Sequence, residues 1–270
     1  MASLRTLLLD PVECSLCLLN ARREVVTSST EARRLLEGGR TKAFTESYSM
    51  LSRGMDLLAG VKDQLNRMAL DYRPSITGYR GLLALIARAN SVDWRLPGYN
   101  GLDLEGGKRS VLVDDSAVSL LQSAERVVIA LDNAGEAVID LRAAGWLAER
   151  GHLVSVLARE YPYEVDVTAT EARALAETLG LEGIEVVSTG SRYPPLYLPG
   201  LSRDALETIM EADVVISKGI ANFEAGLESW SMDGAGKVIV ALRAKCGPIA
   251  RLLGVKRGAP AVIKLASFMR

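Results

Sequence analysis

The sequence predicts an α/β protein with an N-terminal helical domain over residues 1–120 and a Rossmann-like three-layer α/β/α sandwich over residues 121–270, its sheet mainly parallel. Three observations predict this. Through the first part, apolar residues recur at helical spacing with little strand-like alternation. From Glu125 onward, short β-branched runs alternate with amphipathic stretches, the pattern of βαβ units. At 270 residues with 49% hydrophobic side chains, the chain can bury one large core or two modest ones.

Taken in order, spaced apolar residues with polar faces place helices over 30–36, 45–72, 77–90 and 116–122. RLPGYNGLDLEGGK, residues 95–108, is dense in Gly and Pro and reads as a loop. Strands are expected over 127–131, 153–157, 184–187, 213–216, 237–242 and 261–265, with helices between them over 136–149, 168–179, 202–210 and 247–253. Right-handed crossovers then place the carboxyl ends of the parallel strands on one edge of the sheet.

Bulk properties exclude several classes. A net charge of −1 gives no electrostatic footprint for nucleic acid. No run approaches the 18 or so apolar residues of a membrane span, and the apolar stretch in residues 1–9 is too short for a secretory leader, so a cytoplasmic location is expected. There is no GxxxxGK[ST] loop, and no GxGxxG follows the first strand of the α/β part. Cys14 and Cys17 form a CxxC, but Cys246 is remote in sequence and His152 is the only histidine. A structural pair near a helix start is therefore expected rather than zinc. His152 reads as a helix-end residue, not a base.

The residues that point to chemistry follow the strands. RVVIALDNAGEAVID, residues 126–140, is a buried-strand run that stops at Asp132 and Asn133, before Gly135 and Glu136. A carboxylate and an amide at a strand's carboxyl end offer hard oxygens suited to Mg²⁺ or Mn²⁺; the competing reading is a turn and helix cap. Asp166, in YEVDVTATEA, precedes a helix and reads alone as an N-cap. Ser217, Lys218 and Gly219, followed by Asn222, come after the strand at 213–216. If the fold brings these together, one rim carries two carboxylates, an amide and a cation, an inventory for a hard metal and a phosphate.

LDNAGEAVID, ISKGIANFEAG and AKCGPIARLLGVKRG together resemble the damage-control phosphatases, the family called domain of unknown function 89. ARANSVDW, around Asn90 and Asp93, and CSLC near the start extend the resemblance over most of the chain. It implies that Asp132, Asn133 and Asp166 bind one divalent metal ion (Mg, Mn, Co or Ni) and that Lys218 contacts the substrate phosphate. It makes Glu136 an active-site acid, and Asn90 and Asp93 a polar segment that the helical domain contributes to the cleft. The implied fold is a helical domain on a Rossmann-like sandwich, and the implied activity is hydrolysis of phosphate monoesters such as sugar phosphates or damaged phosphometabolites. Ala89 replaces the family's usual Gly, Trp94-Arg95 its Phe-Gly, and Val165 its Asn, while a DPY-type segment is at best a relic in Asp71-Tyr72-Arg73-Pro74. These departures bear on substrate choice more than on reaction class.

The expected function is a metal-dependent phosphomonoesterase in which Asp132, Glu136 and Lys218 serve catalysis. Asn90, Asp93, Ser217, Lys218, Gly219 and Asn222 meet a small phosphorylated metabolite. Glu136 or Asp132 orients or deprotonates water, or Asp132 attacks directly. The alternatives are an S-adenosylmethionine-dependent carboxyl methyltransferase and a non-catalytic phospholigand-binding protein.

Overall fold

Local signals start and stop the elements of the computed structural model, which describes residues 10–93, 98–99, 101–103, 110–181 and 183–269. Most of the loop expected over 95–108, with Trp94, lies outside these residues. Asp10 accepts hydrogen bonds from the Val12 and Glu13 amides and, with Pro11, opens α1 (Pro11–Ala21). Ser28 caps α2 (Ser29–Glu37). The single helix expected over 45–72 is corrected to two, α3 (Arg40–Ser52) and α4 (Ala59–Leu70). Arg53 and Gly54 both take positive φ and break the ladder although the apolar spacing continues. α5 (Gly78–Ala89) follows as expected.

Then come β1 (Leu112–Val113), α6 (Asp115–Ser123), β2 (Arg126–Ala130), α7 (Glu136–Ala148), β3 (Leu153–Ala158), α8 (Ala169–Thr178) and β4 (Glu185–Ser188). The chain continues through α9 (Arg203–Glu211), β5 (Val214–Lys218), α10 (Gly219–Ser229), α11 (Met232–Ala235), β6 (Val238–Arg243), α12 (Gly247–Leu253) and β7 (Pro260–Lys264). β1 is too short to leave a periodic signal and was not expected. The seven strands lie in the order β1-β7-β6-β5-β2-β3-β4, parallel except for β7 against β6. The result is the expected class, a mixed α/β fold with a mostly parallel sheet.

Alternation along β2 shows how the layers form. Val127 and Ile129 pack with α5, α7 and α8 residues such as Leu82, Leu141 and Ala172, while Val128 and Ala130 pack with Ile209 and Phe223 of α9 and α10 on the other face. α5 lies on β6 and β7, so the N-terminal helices join the sheet's first core through it. No described helix is long and apolar enough to cross a membrane.

Packing also settles two outlying groups. Cys246, remote in sequence, comes within electrostatic reach of Cys14 and Cys17 beside the Arg40–Glu224 ion pair (2.6 Å); all three thiols are free. Burial pushes Cys14 up to about 11, partly opposed by the Arg40 guanidinium. His152 lies with Nδ1 2.8 Å from the Ala124 carbonyl and Nε2 2.9 Å from the Tyr79 hydroxyl. The carbonyl can only accept, so Nδ1 carries the proton and Nε2 accepts from Tyr79. The ring is a joint between α5 and the β2 approach. His152→Ala strands both partners and should lower unfolding free energy by about 1–3 kcal/mol, read in urea melts as a lower midpoint at unchanged slope; a midpoint equal to wild type would refute this role.

Candidate active site

From β2 the chain runs outward to β3 and β4, then returns to place β5 on the other side of β2. This is the topological switch point at which α/β sheets bind ligands. Asp132 and Asn133 stand just beyond β2, and Gly219 opens α10 just beyond β5. Neither Asp132 nor Asn133 caps a helix: the N-cap of α7 is Gly135, with no side-chain capping bond. Asp166 does not cap α8 either, because Thr168 and Glu171 form a capping box there. The competing structural readings of these residues therefore fall away.

Backbone and amide bonds draw the three segments together. The Ala134 amide donates to Val165 O (2.8 Å) and the Val167 amide to Asp132 O (2.9 Å), with an antiparallel bridge between Asn133 and Asp166. Asn222 Nδ2 donates to Leu131 O (3.0 Å) and Lys218 O (2.9 Å), stitching the ends of β2 and β5. Gly219 has φ +77°, and a Cβ there would lie 1.8 Å from Asp132 Oδ2. Only glycine permits that approach.

The helical segment supplies the lid of the cluster. Asn90 Nδ2 donates to Asp132 Oδ2 (3.0 Å) and Glu136 Oε2 (2.7 Å), and its Oδ1 accepts from the Arg243 amide (3.1 Å). The Val92 amide donates to Glu136 Oε1 (2.7 Å). Asn133 Nδ2 donates to Val92 O, Asp132 Oδ2 and Glu136 Oε1. All three are acceptors, so the amide's orientation is forced, and its oxygen is the end left for the cavity.

That cavity is small, about 20 Å³, and lined by Asp93, Asp132, Asn133, Glu164, Asp166 and Lys245 among others. It has room for an ion or a water. A roomier groove of about 790 Å³ beside β1 has Lys256 and Arg257 in its lining and, among the described residues, no carboxylate.

Four buried carboxylates, Asp132, Glu136, Asp140 and Asp166, face Lys218, Lys245 and Arg159, all equally buried. Lys218 Nζ reaches both oxygens of Asp140 (2.8 and 3.0 Å), Arg159 Nε holds Asp166 Oδ2 (2.5 Å), and Lys245 Nζ donates to Val92 O. Burial, then the Glu136 charge, raises Asp132 well above the usual carboxylate range, against the two lysines. Burial raises Glu136 as well. Asp166 is pushed up to about 6 by burial, with Arg159 opposing and Asp132 adding to the rise. Buried acids raised in this way are common at functional sites.

Of the residues expected from sequence, Asp93, Asp132, Asn133 and Asp166 line the cavity. Asn90 and Glu136 sit directly behind, fully enclosed and bonded to the acids. Lys218 and Asn222, expected to meet the phosphate, are engaged within the protein: Lys218 is turned onto Asp140 and Asn222 spends its amide on backbone, its Oδ1 accepting from Leu196 N (3.1 Å). Ser217, also expected there, is buried in β5 with a hydroxyl that has no hydrogen-bond partner. Sequence reasoning missed Asp140, Arg159, Glu164 and Lys245. A signal existed for Lys245, which follows β6 as Lys218 ends β5.

The donor chemistry fits a hard divalent cation. Asp132, Asp166 and the Asn133 oxygen offer hard donors around an ion-sized cavity, beside negative charge in excess of the lysines and arginine. Among the described residues no three His, Cys, Asp or Glu side chains form a metal-ligating group, so such an ion would need an amide oxygen and non-protein oxygens to complete its shell.

Comparison with known proteins identifies relatives of the whole fold. The family model for the damage-control phosphatase ARMT1-like domain matches residues 38–260. Damage-control phosphatase PH1575 of Pyrococcus horikoshii is 32% identical over 186 residues, 66% of this chain and 61% of that protein. A damage-control phosphatase of Archaeoglobus fulgidus is 31% identical over 137 residues, 50% of this chain and 45% of that one. The chain thus matches about half to three-fifths of the length of these relatives. The crystal structure of a DUF89 family protein from Pyrococcus horikoshii superposes with a TM-score of 0.72 at 24% identity, covering 93% of this chain and 97% of the other, which establishes the shared fold. With most of its length inside the family model, the chain belongs to the damage-control phosphatase ARMT1-like domain family.

Proposed function

We propose that this chain is a divalent-metal-dependent phosphatase that hydrolyses phosphate monoesters of small metabolites, with sugar phosphates and damaged phosphometabolites as its substrate class. The observation that carries this is the ion-sized cavity in which Asp132, Asp166 and the oriented Asn133 oxygen meet at the switch point, with Lys245 in the same wall. The names of its relatives support the same reading.

Asp132, Asn133 and Asp166 hold the cation, which when bound neutralises charge on the phosphoryl oxygens. Lys245 meets the phosphate from the wall, and the first-turn amides at Ile220 and Ala221, both lining the cavity, add hydrogen bonds at the start of α10. Lys218, held by Asp140, stays behind Asp132 and favours its ionised form. Glu136 anchors Asn133 and Asn90 rather than facing substrate. Attack of water on phosphorus forms one P–O bond and breaks the ester P–O bond; the alcohol leaves with a proton, and inorganic phosphate remains. Asp93, from the segment after α5, lines the same cavity.

The direct test uses metal-stripped protein and p-nitrophenyl phosphate, with Mg²⁺, Mn²⁺, Co²⁺ or Ni²⁺ restored singly. Release is expected to return with metal in the wild type and stay at the metal-free baseline in Asp132→Ala. Metal-independent release, or an active Asp132→Ala, would sink the proposal, and no release with any metal would turn attention to S-adenosylmethionine binding.

Gly219→Ala is expected to displace Asp132 and cut turnover about a hundredfold or more, with Mn²⁺ affinity falling in parallel by calorimetry. Unchanged affinity would show that the contact is not limiting.

The raised acids also set a pH dependence for the metal-free protein. The folded state holds protons more tightly than the unfolded chain, so stability is highest below the ordinary value of 3.8 and is lost as pH rises through about 6 for Asp166. Thermal melts in chelator should fall across that window by roughly 1–3 kcal/mol of stability, and Mn²⁺ should restore more stability at pH 8 than at pH 5. A melting temperature that rises with pH from 4 to 7 would contradict the assignment.

A further inference from the structure

Glu164 stands in the cavity wall two residues before Asp166, at φ +45°. It and Arg53 are the non-glycine residues at positive φ among the described residues. A side chain with a Cβ adopts that conformation only when its surroundings impose it. Here the surroundings come from the opposite end of the sequence. Arg22, which closes α1, forms an ion pair with the Glu164 carboxylate, and the two residues are 2% and 5% exposed, so the pair is out of water.

Arg22 also donates to the Tyr163 hydroxyl (3.2 Å), and its guanidinium carbon lies 5.0 Å from the Tyr48 ring centroid and 5.8 Å from that of Tyr163. On the same ring of Tyr163 lies Arg159, 4.3 Å away, which binds Asp166 Oδ2. The Tyr163 carbonyl accepts the Asp166 amide at 2.9 Å. A continuous set of contacts thus runs from α1 and α3 through the 163–166 turn to the Asp166 carboxylate. Removing Arg22 takes away the ion pair that holds the Glu164 carboxylate, and with it the tie between α1 and the 163–166 turn.

We propose that Arg22 and Glu164 are a positioning pair, in which the N-terminal helices clamp the 163–166 turn in its left-handed conformation and so set the Asp166 carboxylate for the divalent cation. This rests on the reading of Asp166 as a ligand of that cation. Neither residue touches the reacting atoms. They act through Asp166, as partners that orient a metal ligand do elsewhere, where their loss weakens metal affinity about 10- to 100-fold.

The test is Mn²⁺ binding alone, by calorimetry and by the electron paramagnetic resonance spectrum of bound Mn²⁺, well below each protein's melting temperature. Wild type, Arg22→Gln, Arg22→Lys, Glu164→Gln, the Arg22→Gln/Glu164→Gln double variant and Asp166→Ala are compared. Expected are about tenfold or greater weakening in Arg22→Gln and Glu164→Gln, with an altered Mn²⁺ spectrum. The double variant should be no weaker than the worse single one, and Arg22→Lys should recover part of the loss. A pair that served stability alone would lower melting temperatures and leave affinity and spectrum at wild type, which overturns the inference while Asp166→Ala still loses Mn²⁺. If Asp166→Ala binds Mn²⁺ like wild type, the ligand reading itself fails and the inference with it. Should Arg22→Gln not fold, Arg22→Lys and Glu164→Gln carry the same comparison.

Discussion

Carboxylates buried within one cluster, Asp132, Glu136, Asp140 and Asp166 among them, are the constraint on which the rest of this structure depends. An ionised acid taken out of water without compensation is far more costly than any single contact can offset, so each must find a cation, a donor or a proton. Asp140 has Lys218, Asp166 has Arg159, and Asp132 and Glu136 share the amides of Asn90 and Asn133. Burial still raises Asp132 and Asp166 against these partners, and a cation in the cavity would favour their ionised forms.

The fold makes this possible by division of labour. β2 and β5 deliver Asp132 and Gly219 to adjacent positions at the switch point, and the absence of a Cβ at Gly219 allows the approach. The helical segment supplies what the sheet lacks. Asn90 and the Val92 amide, just beyond α5, satisfy the acids, and Arg243 at the end of β6 ties Asn90 down through its amide. Arg22 reaches the same cavity from the other side through Glu164. The cavity wall is therefore shared between parts of the chain remote in sequence, and its shape responds to how the helices sit on the sheet.

Much of this was legible in the sequence because it is local. Periods of two and of 3.6 identify strands and helices from residues within one turn or one pleat of each other, and the strands of β2, β3, β5 and β6 fall where those periods place them. The pattern fails where a local backbone event overrides it, as at Arg53 and Gly54 between α3 and α4, or where an element is too short to show a period, as with β1. The strand-end rule likewise brought Asp132, Asn133 and Asp166 to one rim, since parallel strands joined by right-handed crossovers present their carboxyl ends together.

The sequence by itself determined the α/β class, the order of the strands from β2 onward and the convergence of hard oxygen donors, because each is set by neighbours in the chain and by the handedness of the connections; it did not show α10 or α11. Only the tertiary structure decided which charges meet. It turned Lys218 onto Asp140 and Asn222 onto backbone, brought Lys245 and Asp93 into one wall, and paired Arg22 with Glu164 across 142 positions. The physical reason is that an ion pair depends on the three-dimensional positions of its charges, and those follow from how helices pack on the sheet, a quantity no local spacing encodes.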